Sequence, residues 1–315
     1  MPSGTLTGWR DARAESMGVL DVPALSPRGL GTVPTPLFST SHDPDGAAPL
    51  GAHDPARLGP YRLLGRLGSG GMGTAYLARS RFGRLVAVKA VHPELVDEPE
   101  FRERFAREVA ALRRVRSRFV PRFAGAAPGA VLPWLAIGHV PGPTLSEQVR
   151  DVRPLRDRAL ARVVTGVAAA LADIHRAGIV HRDLKPGNVV LSPRGPRVLD
   201  FGVAAGRTEQ TTHGSVWGTP GWVAPERLRG AAASAASDVF GWGQLTVYAA
   251  TGRNPFGSAP EAITRRVLRG EADLLGLPGE YLSTVRAALA TAPELRPTPE
   301  RILLSLARNG VMRTY

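Results

Sequence analysis

Apolar and polar positions change their spacing at definite points along the chain. From Tyr61 the runs YRLLGRL, TAYLARS and LVAVKAV are short, rich in aliphatic residues and separated by turn residues, which predicts strands. EPEFRERFAREVAALRRV then sets Phe101, Phe105, Val109 and Leu112 at helical spacing and predicts an amphipathic helix. PWLAIGHV predicts a further strand, closed by Pro-Gly-Pro. ALARVVTGVAAALADIHRAG predicts a long helix with one apolar face, stopped at Gly178. Beyond it the pattern is mostly helical, apart from short strands around VVL and RVLDFG. The expected organisation is α+β: a small β-rich lobe over about 58–138, a hinge near 139–143, and a larger helical lobe over about 143–307. Residues 1–57 are rich in Pro, Gly, Ser and Thr without sustained periodicity, and are expected to form a disordered extension. Residues 308–315 are expected to be a short tail.

Charge changes this picture little. The net charge is +13, and residues 1–57 carry four Arg against six Asp and Glu, so the basic excess lies downstream. The arginines are scattered, with no aromatic-interleaved stripe, so they read as solvated surface and no nucleic-acid partner is expected. There is no cysteine, which excludes disulfides and thiolate metal sites and fits a cytoplasmic protein. The longest apolar runs are interrupted by Arg or Asp, so no membrane span is expected.

One compositional detail does matter. Of 40 Lys and Arg residues only Lys89 and Lys185 are lysine. Lys89 ends VAVK, where strand alternation turns Ala87 and Lys89 to one side and Val86 and Val88 to the other. A compact ammonium there can hold phosphate oxygens, and Glu108 on the following helix is its expected partner, with Glu103 as the competitor. Before it, LGSGGMGTA carries Gly68, Gly70 and Gly73 between two strands, so that backbone N–H groups can approach a phosphate without a Cβ in the way. In HRDLKPGN, Asp183 can accept a hydroxyl proton, the Asn188 oxygen can bind magnesium, and Lys185 can neutralise a phosphoryl group in transit. Asp200, in DFG, supplies a second hard oxygen ligand.

The order Gly-rich loop, VAVK, helix Glu, HRDLKPGN, DFG and then APE at 224–226 resembles the eukaryotic-like (Hanks-type) bacterial serine/threonine protein kinases, of the actinobacterial type. The resemblance spans about Gly59 to Leu306 and implies a bilobal protein-kinase fold with a kinase domain over 58–307. It implies ATP as phosphoryl donor and Mg2+ as cofactor, with Mn2+ the alternative ion. Leu67, Gly68, Ser69, Gly70, Gly71, Met72, Gly73, Thr74 and Ala75 would form the nucleotide roof. Ala87, His139, Val140 and Val190 would complete the adenine site. His181, Phe201 and Leu112 would stack as an apolar spine, Asp238 would cap amides of the catalytic loop, and Glu226 and Arg296 would form a buried ion pair. Arg182 beside Asp183 implies control by a phosphate on the activation loop, where Thr208, Thr211, Thr212 and Ser215 are available and Thr211 and Thr212 are favoured. Thr219 would sit near the substrate hydroxyl, bonded to Asp183 and Lys185.

Three departures stand out. Ala75 replaces the usual valine, which should loosen the roof; Gly138 and His139 replace the common Glu-Tyr at the hinge; and Gly187 leaves no acidic side chain to favour basic substrates. Proteins with Ser or Thr acceptors are the expected substrates, with self-association for autophosphorylation in trans. Two other readings compete. A pseudokinase scaffold normally lacks one of Lys89, Asp183 or Asp200, all present here. An aminoglycoside-phosphotransferase type of enzyme lacks the Thr-bearing activation segment and the APE motif.

Overall fold

Residues 47–70, 73–96, 99–200 and 221–311 are described by the structure, a computed structural model. The first lobe is built on β1 (Arg57–Leu58), β2 (Tyr61–Gly70), β3 (Gly73–Arg79), β4 (Leu85–Val91), β5 (Phe123–Ala127) and β6 (Trp134–Gly138). They form one antiparallel sheet in the order β1-β2-β3-β4-β6-β5. Strand alternation gives the sheet two different faces. Leu63, Tyr76, Val86, Val88 and Trp134 pack together on the outer face, while Leu67, Ala75, Leu77 and Ala87 face inward, toward Val190 and Leu199 of the second lobe. The glycine cluster expected as a turn is strand as far as Gly70 and strand again from Gly73. A Cβ on Gly73 would collide with the Ala90 carbonyl, so this glycine is required by the close approach of β3 to β4.

The chain before β1 departs from the sequence expectation. Residues 47–57 were assigned to a disordered extension, yet they lie as a strap along β2. Ala48 exchanges both backbone hydrogen bonds with Arg66, at 2.8 and 2.7 Å, and Leu63 N–H donates to the Ala56 carbonyl. Asp54 fastens the strap by accepting from Arg66, Tyr76 and the Gly51 N–H. Composition missed this because the order comes from backbone pairing and one carboxylate rather than from apolar side chains. Residues 1–46 lie outside the described residues.

The strap should carry a pH signature. Arg66 above all holds the Asp54 carboxyl down to about 2, from an ordinary 3.8. A depressed native pKa adds stability that is complete above the unfolded value and is lost as pH falls through the folded one. The stability difference between wild type and Asp54→Asn, measured by urea unfolding, is expected to be constant above about pH 5. It should close between 3.8 and about 2. A gap that persists unchanged at the acid end would refute the assignment.

Between β4 and β5 run α1 (Pro93–Val96) and α2 (Pro99–Leu112). Phe101, Phe105, Val109 and Leu112 are all buried, the stripe that the periodicity predicts. The second lobe comprises α3 (Leu145–Glu147), α4 (Asp157–Arg176), the hairpin β7 (Val189–Ser192) and β8 (Gly195–Val198), then α5 (Pro225–Leu228), α6 (Ala235–Thr251), α7 (Pro260–Arg269), α8 (Gly279–Ala288) and α9 (Pro299–Arg308). The chain leaves α4 through Gly178 at φ +78°, a conformation that glycine adopts without strain. The central helix α6 is apolar around most of its circumference, as a helix enclosed by others must be. Its Trp242 donates from Nε1 to the Val164 carbonyl of α4 at 3.0 Å, so the largest side chain of the core also leaves no buried donor unmet. No helix of the described residues is long and apolar enough to cross a membrane.

Candidate active site

The cleft between the lobes is roofed and floored by apolar side chains. Leu67, Ala87, Ile137, Gly138, His139, Val140, Val190 and Leu199 line it. Ala75 is fully buried against this group, so the small residue at the roof is packed rather than left over a void. Lys89 lies in register with Ala75 on one side and Leu135 on the other, on the inward face of β4, and is only 7% exposed. The two strands leading to the glycine turn are held at two points: the Ser69 and Thr74 hydroxyls are 3.2 Å apart, and His92 Nε2–H donates to the Gly70 carbonyl at 2.9 Å.

Below the cleft, the segment from His181 to Asn188 is fixed by Asp238 at the start of α6. Its two oxygens accept the backbone N–H groups of His181 (2.7 Å) and Arg182 (2.9 Å), and His175 Nε2 lies 2.8 Å from one of them. This holds Arg182 at φ +72°, an unfavourable conformation for a side chain with a Cβ. His181 is buried, and burial pushes its pKa down; the neutral ring donates from Nε2 to the Leu199 carbonyl at 2.9 Å. Asp183 is thereby presented at the cleft. Its carboxylate lies 2.7 Å from Lys185 Nζ, and the Asn188 amide nitrogen donates to the Asp183 carbonyl at 2.8 Å. Lys185 is only 5% exposed. Asp200, at φ +53°, closes the group. Burial pushes its carboxyl pKa up, and the charge of Lys89 opposes that shift most strongly. Lys185 thus pairs with Asp183, and the charge of Lys89 acts on Asp200.

One expected contact is absent. Glu108 does not pair with Lys89: among the described residues no ion pair joins them, and the Glu108 carboxylate instead lies 2.8 Å from the Arg182 guanidinium. Both side chains are largely withdrawn from solvent, where a guanidinium makes a directional, charge-assisted bond to a carboxylate. Helical spacing puts Glu108 on the correct face but cannot decide between two cations beyond it. The competitor Glu103 is exposed and lies near Arg107, one turn along the same helix.

Sequence comparison decides the family. The protein kinase domain model matches residues 61–303. The chain belongs to the protein kinase family. It is 44% identical over 262 residues to the serine/threonine-protein kinase AfsK of Streptomyces coelicolor, covering 82% of this chain and 33% of that protein. It is 43% identical over 262 residues to the probable serine/threonine-protein kinase PkwA of Thermomonospora curvata, covering 82% and 35%. The chain thus spans about a third of the length of these curated relatives. The fold is similar to the crystal structure of the Mycobacterium tuberculosis PknI kinase domain, at a TM-score of 0.61, 24% identity and coverage of 80% and 97%.

Several contributions to the kinase site carry no sequence motif. Ile137 and Leu199 line the cleft, and His92 braces the hairpin, yet none stands in a signature that points to a nucleotide. Ile137 ends the PWLAI strand pattern, which was the available signal. His92 had none. Gly71, Met72, Phe201, Thr208, Thr211, Thr212, Ser215 and Thr219 lie outside the described residues.

Proposed function

We propose that this kinase transfers the γ-phosphoryl group of ATP to Ser or Thr hydroxyls of proteins. The observation that carries the reading is that both lysines of the chain are buried beside these carboxylates, Lys185 at 2.7 Å from Asp183 and Lys89 with its charge acting on Asp200. The hydroxyl oxygen attacks the γ-phosphorus, the bond to the β–γ bridging oxygen breaks, ADP leaves, and Asp183 takes the hydroxyl proton. Lys185 offsets charge on the phosphoryl oxygens, and Lys89 holds those of the α- and β-phosphates. The adenine lies between Leu67, Ala75 and Ala87 above and Val190 below, and meets the backbone around His139 and Val140.

Asn188 and Asp200 fit a magnesium ion. The Asn188 nitrogen is engaged by Asp183, which leaves its oxygen to face the other way, and Asp200 is a carboxylate whose burial favours a cationic neighbour. When bound, the ion would neutralise phosphate charge. The cysteine-free composition fits a cytoplasmic site of action.

The Glu108–Arg182 pair supports a resting arrangement. A phosphate on Thr211 or Thr212, placed by a second copy of the chain, carries more charge than the Glu108 carboxylate and would compete with it for Arg182, releasing Glu108 to Lys89. Incubation with labelled ATP, magnesium and a generic protein acceptor is expected to give phosphoserine or phosphothreonine. Lys89→Met should abolish the label by weakening nucleotide binding. A Lys89→Met protein that labels like wild type would overturn the site, and labelling confined to small molecules would overturn the substrate class.

A further inference from the structure

Asp54 has no place in the chemistry above and lies outside the residues matched by the kinase model. It is nonetheless a heavily committed carboxylate, with four hydrogen bonds. Its side chain is 4% exposed. It accepts from Arg66 Nε at 2.5 Å and from a second nitrogen of the same guanidinium at 2.7 Å. The Tyr76 hydroxyl and the Gly51 N–H each add a bond of 2.7 Å. Tyr76 gives the reciprocal sign: burial first, and then Asp54, push its hydroxyl pKa up to about 12.

What matters is where these partners stand. Arg66 and Tyr76 are directly opposite each other in β2 and β3, and the next pair in register is Gly68 with Ala75. Leu67 is therefore the extra residue of a β-bulge, and it packs inward with Ala75, Ala87, Val190 and Leu199 in the adenine cleft. Tyr76 packs on the opposite, outer face. Asp54 thus grips, from behind the sheet, both members of the last regular cross-strand pair before the bulge that turns Leu67 over the nucleotide. The strap adds a second hold on the same residue, since Ala48 binds both backbone groups of Arg66. Ala47 packs against the cleft cluster itself.

We propose that Asp54 is a positioning residue for the nucleotide: it sets the register of the β2–β3 hairpin and so the place of Leu67 and the Gly68–Gly70 backbone above ATP. The proposal rests on the ATP-binding reading of the cleft. A bulged hairpin left unpinned can slip or splay without unfolding the lobe, and a roof that samples several positions binds its ligand in only some of them.

The test uses the full chain. ATP KM, kcat, the Kd of a non-hydrolysable ATP analogue with magnesium, and the thermal midpoint are measured for wild type, Asp54→Ala and Tyr76→Phe. A control, Thr284→Ala, cuts a part-buried hydroxyl contact between α8 and α9 in the other lobe. Asp54→Ala is expected to raise KM and Kd together, by about five- to tenfold, while kcat is little changed. Tyr76→Phe should move the same constants in the same direction by less, and Thr284→Ala should lower the midpoint without moving them. Were Asp54→Ala to fail to fold, Tyr76→Phe alone would decide. Unchanged KM and Kd in the folded variants, whatever their midpoints, would overturn the role of Asp54, as would an equal rise in the control. A wild type that does not bind the analogue would instead overturn the nucleotide reading itself.

Discussion

Asp183→Asn should lower kcat for protein phosphorylation by about 10²- to 10⁴-fold, the range over which a positioned general base contributes. The expectation follows from how the carboxylate is placed. The backbone N–H groups of His181 and Arg182 are anchored on Asp238, so the segment bearing Asp183 does not depend on the Asp183 side chain for its shape. The amide isostere therefore keeps the geometry and removes the proton acceptor. It also removes the anion that Lys185 Nζ faces at 2.7 Å. On the proposed reading ATP is held by the apolar cleft and Lys89, so its affinity should change far less. Steady-state kinetics separates the two. A variant that turns over at the wild-type rate would show that Asp183 is not the base, and a collapse of ATP affinity with kcat preserved would show that its charge serves binding instead.

Glu226→Ala should strongly destabilise the second lobe. The Arg296 guanidinium is completely withdrawn from solvent and meets both Glu226 oxygens at 2.7 Å. It also donates to the carbonyls of Ala236, Ala290 and Thr291 and lies 5.0 Å from the Phe240 ring centroid. Such a pair gives little net stability when compared with an apolar replacement of both members. Removing one member is different, because a buried cation is left without its counter-charge, at a cost of about 3–5 kcal/mol. Chemical unfolding of wild type, Glu226→Ala and the Glu226→Leu/Arg296→Met double variant tests this. The double variant should recover a large part of the loss. If the single variant unfolds at the wild-type denaturant concentration, the pair is not the anchor between α5 and the start of α6 that its geometry indicates.

Much of this architecture could be read from residue order. The helix stripe Phe101, Phe105, Val109 and Leu112, the inward turn of Lys89, and the stop at Gly178 all follow from local periodicity and backbone preference, and the structure has them. The strand β5 was not legible, because FAGAA has neither alternation nor bulk and gains its place only by pairing with β6. The strap was hidden for a related reason: edge pairing by backbone leaves no mark in side-chain composition. The partner of Glu108 was beyond sequence in a different sense. Spacing places a carboxylate on a helix face, but it does not say which of the cations beyond that face it meets, and in the structure it meets Arg182.

The scarcity of lysine has a practical consequence. Apart from the terminal amine, the chain offers amine-directed reagents no surface target, because its two side-chain ammonium groups are both buried, at the proposed nucleotide cleft. General acylation or amine cross-linking will therefore report on access to that cleft rather than on the protein's exterior. An acylating probe that delivers its reactive group to these two amines would meet almost no background on this molecule.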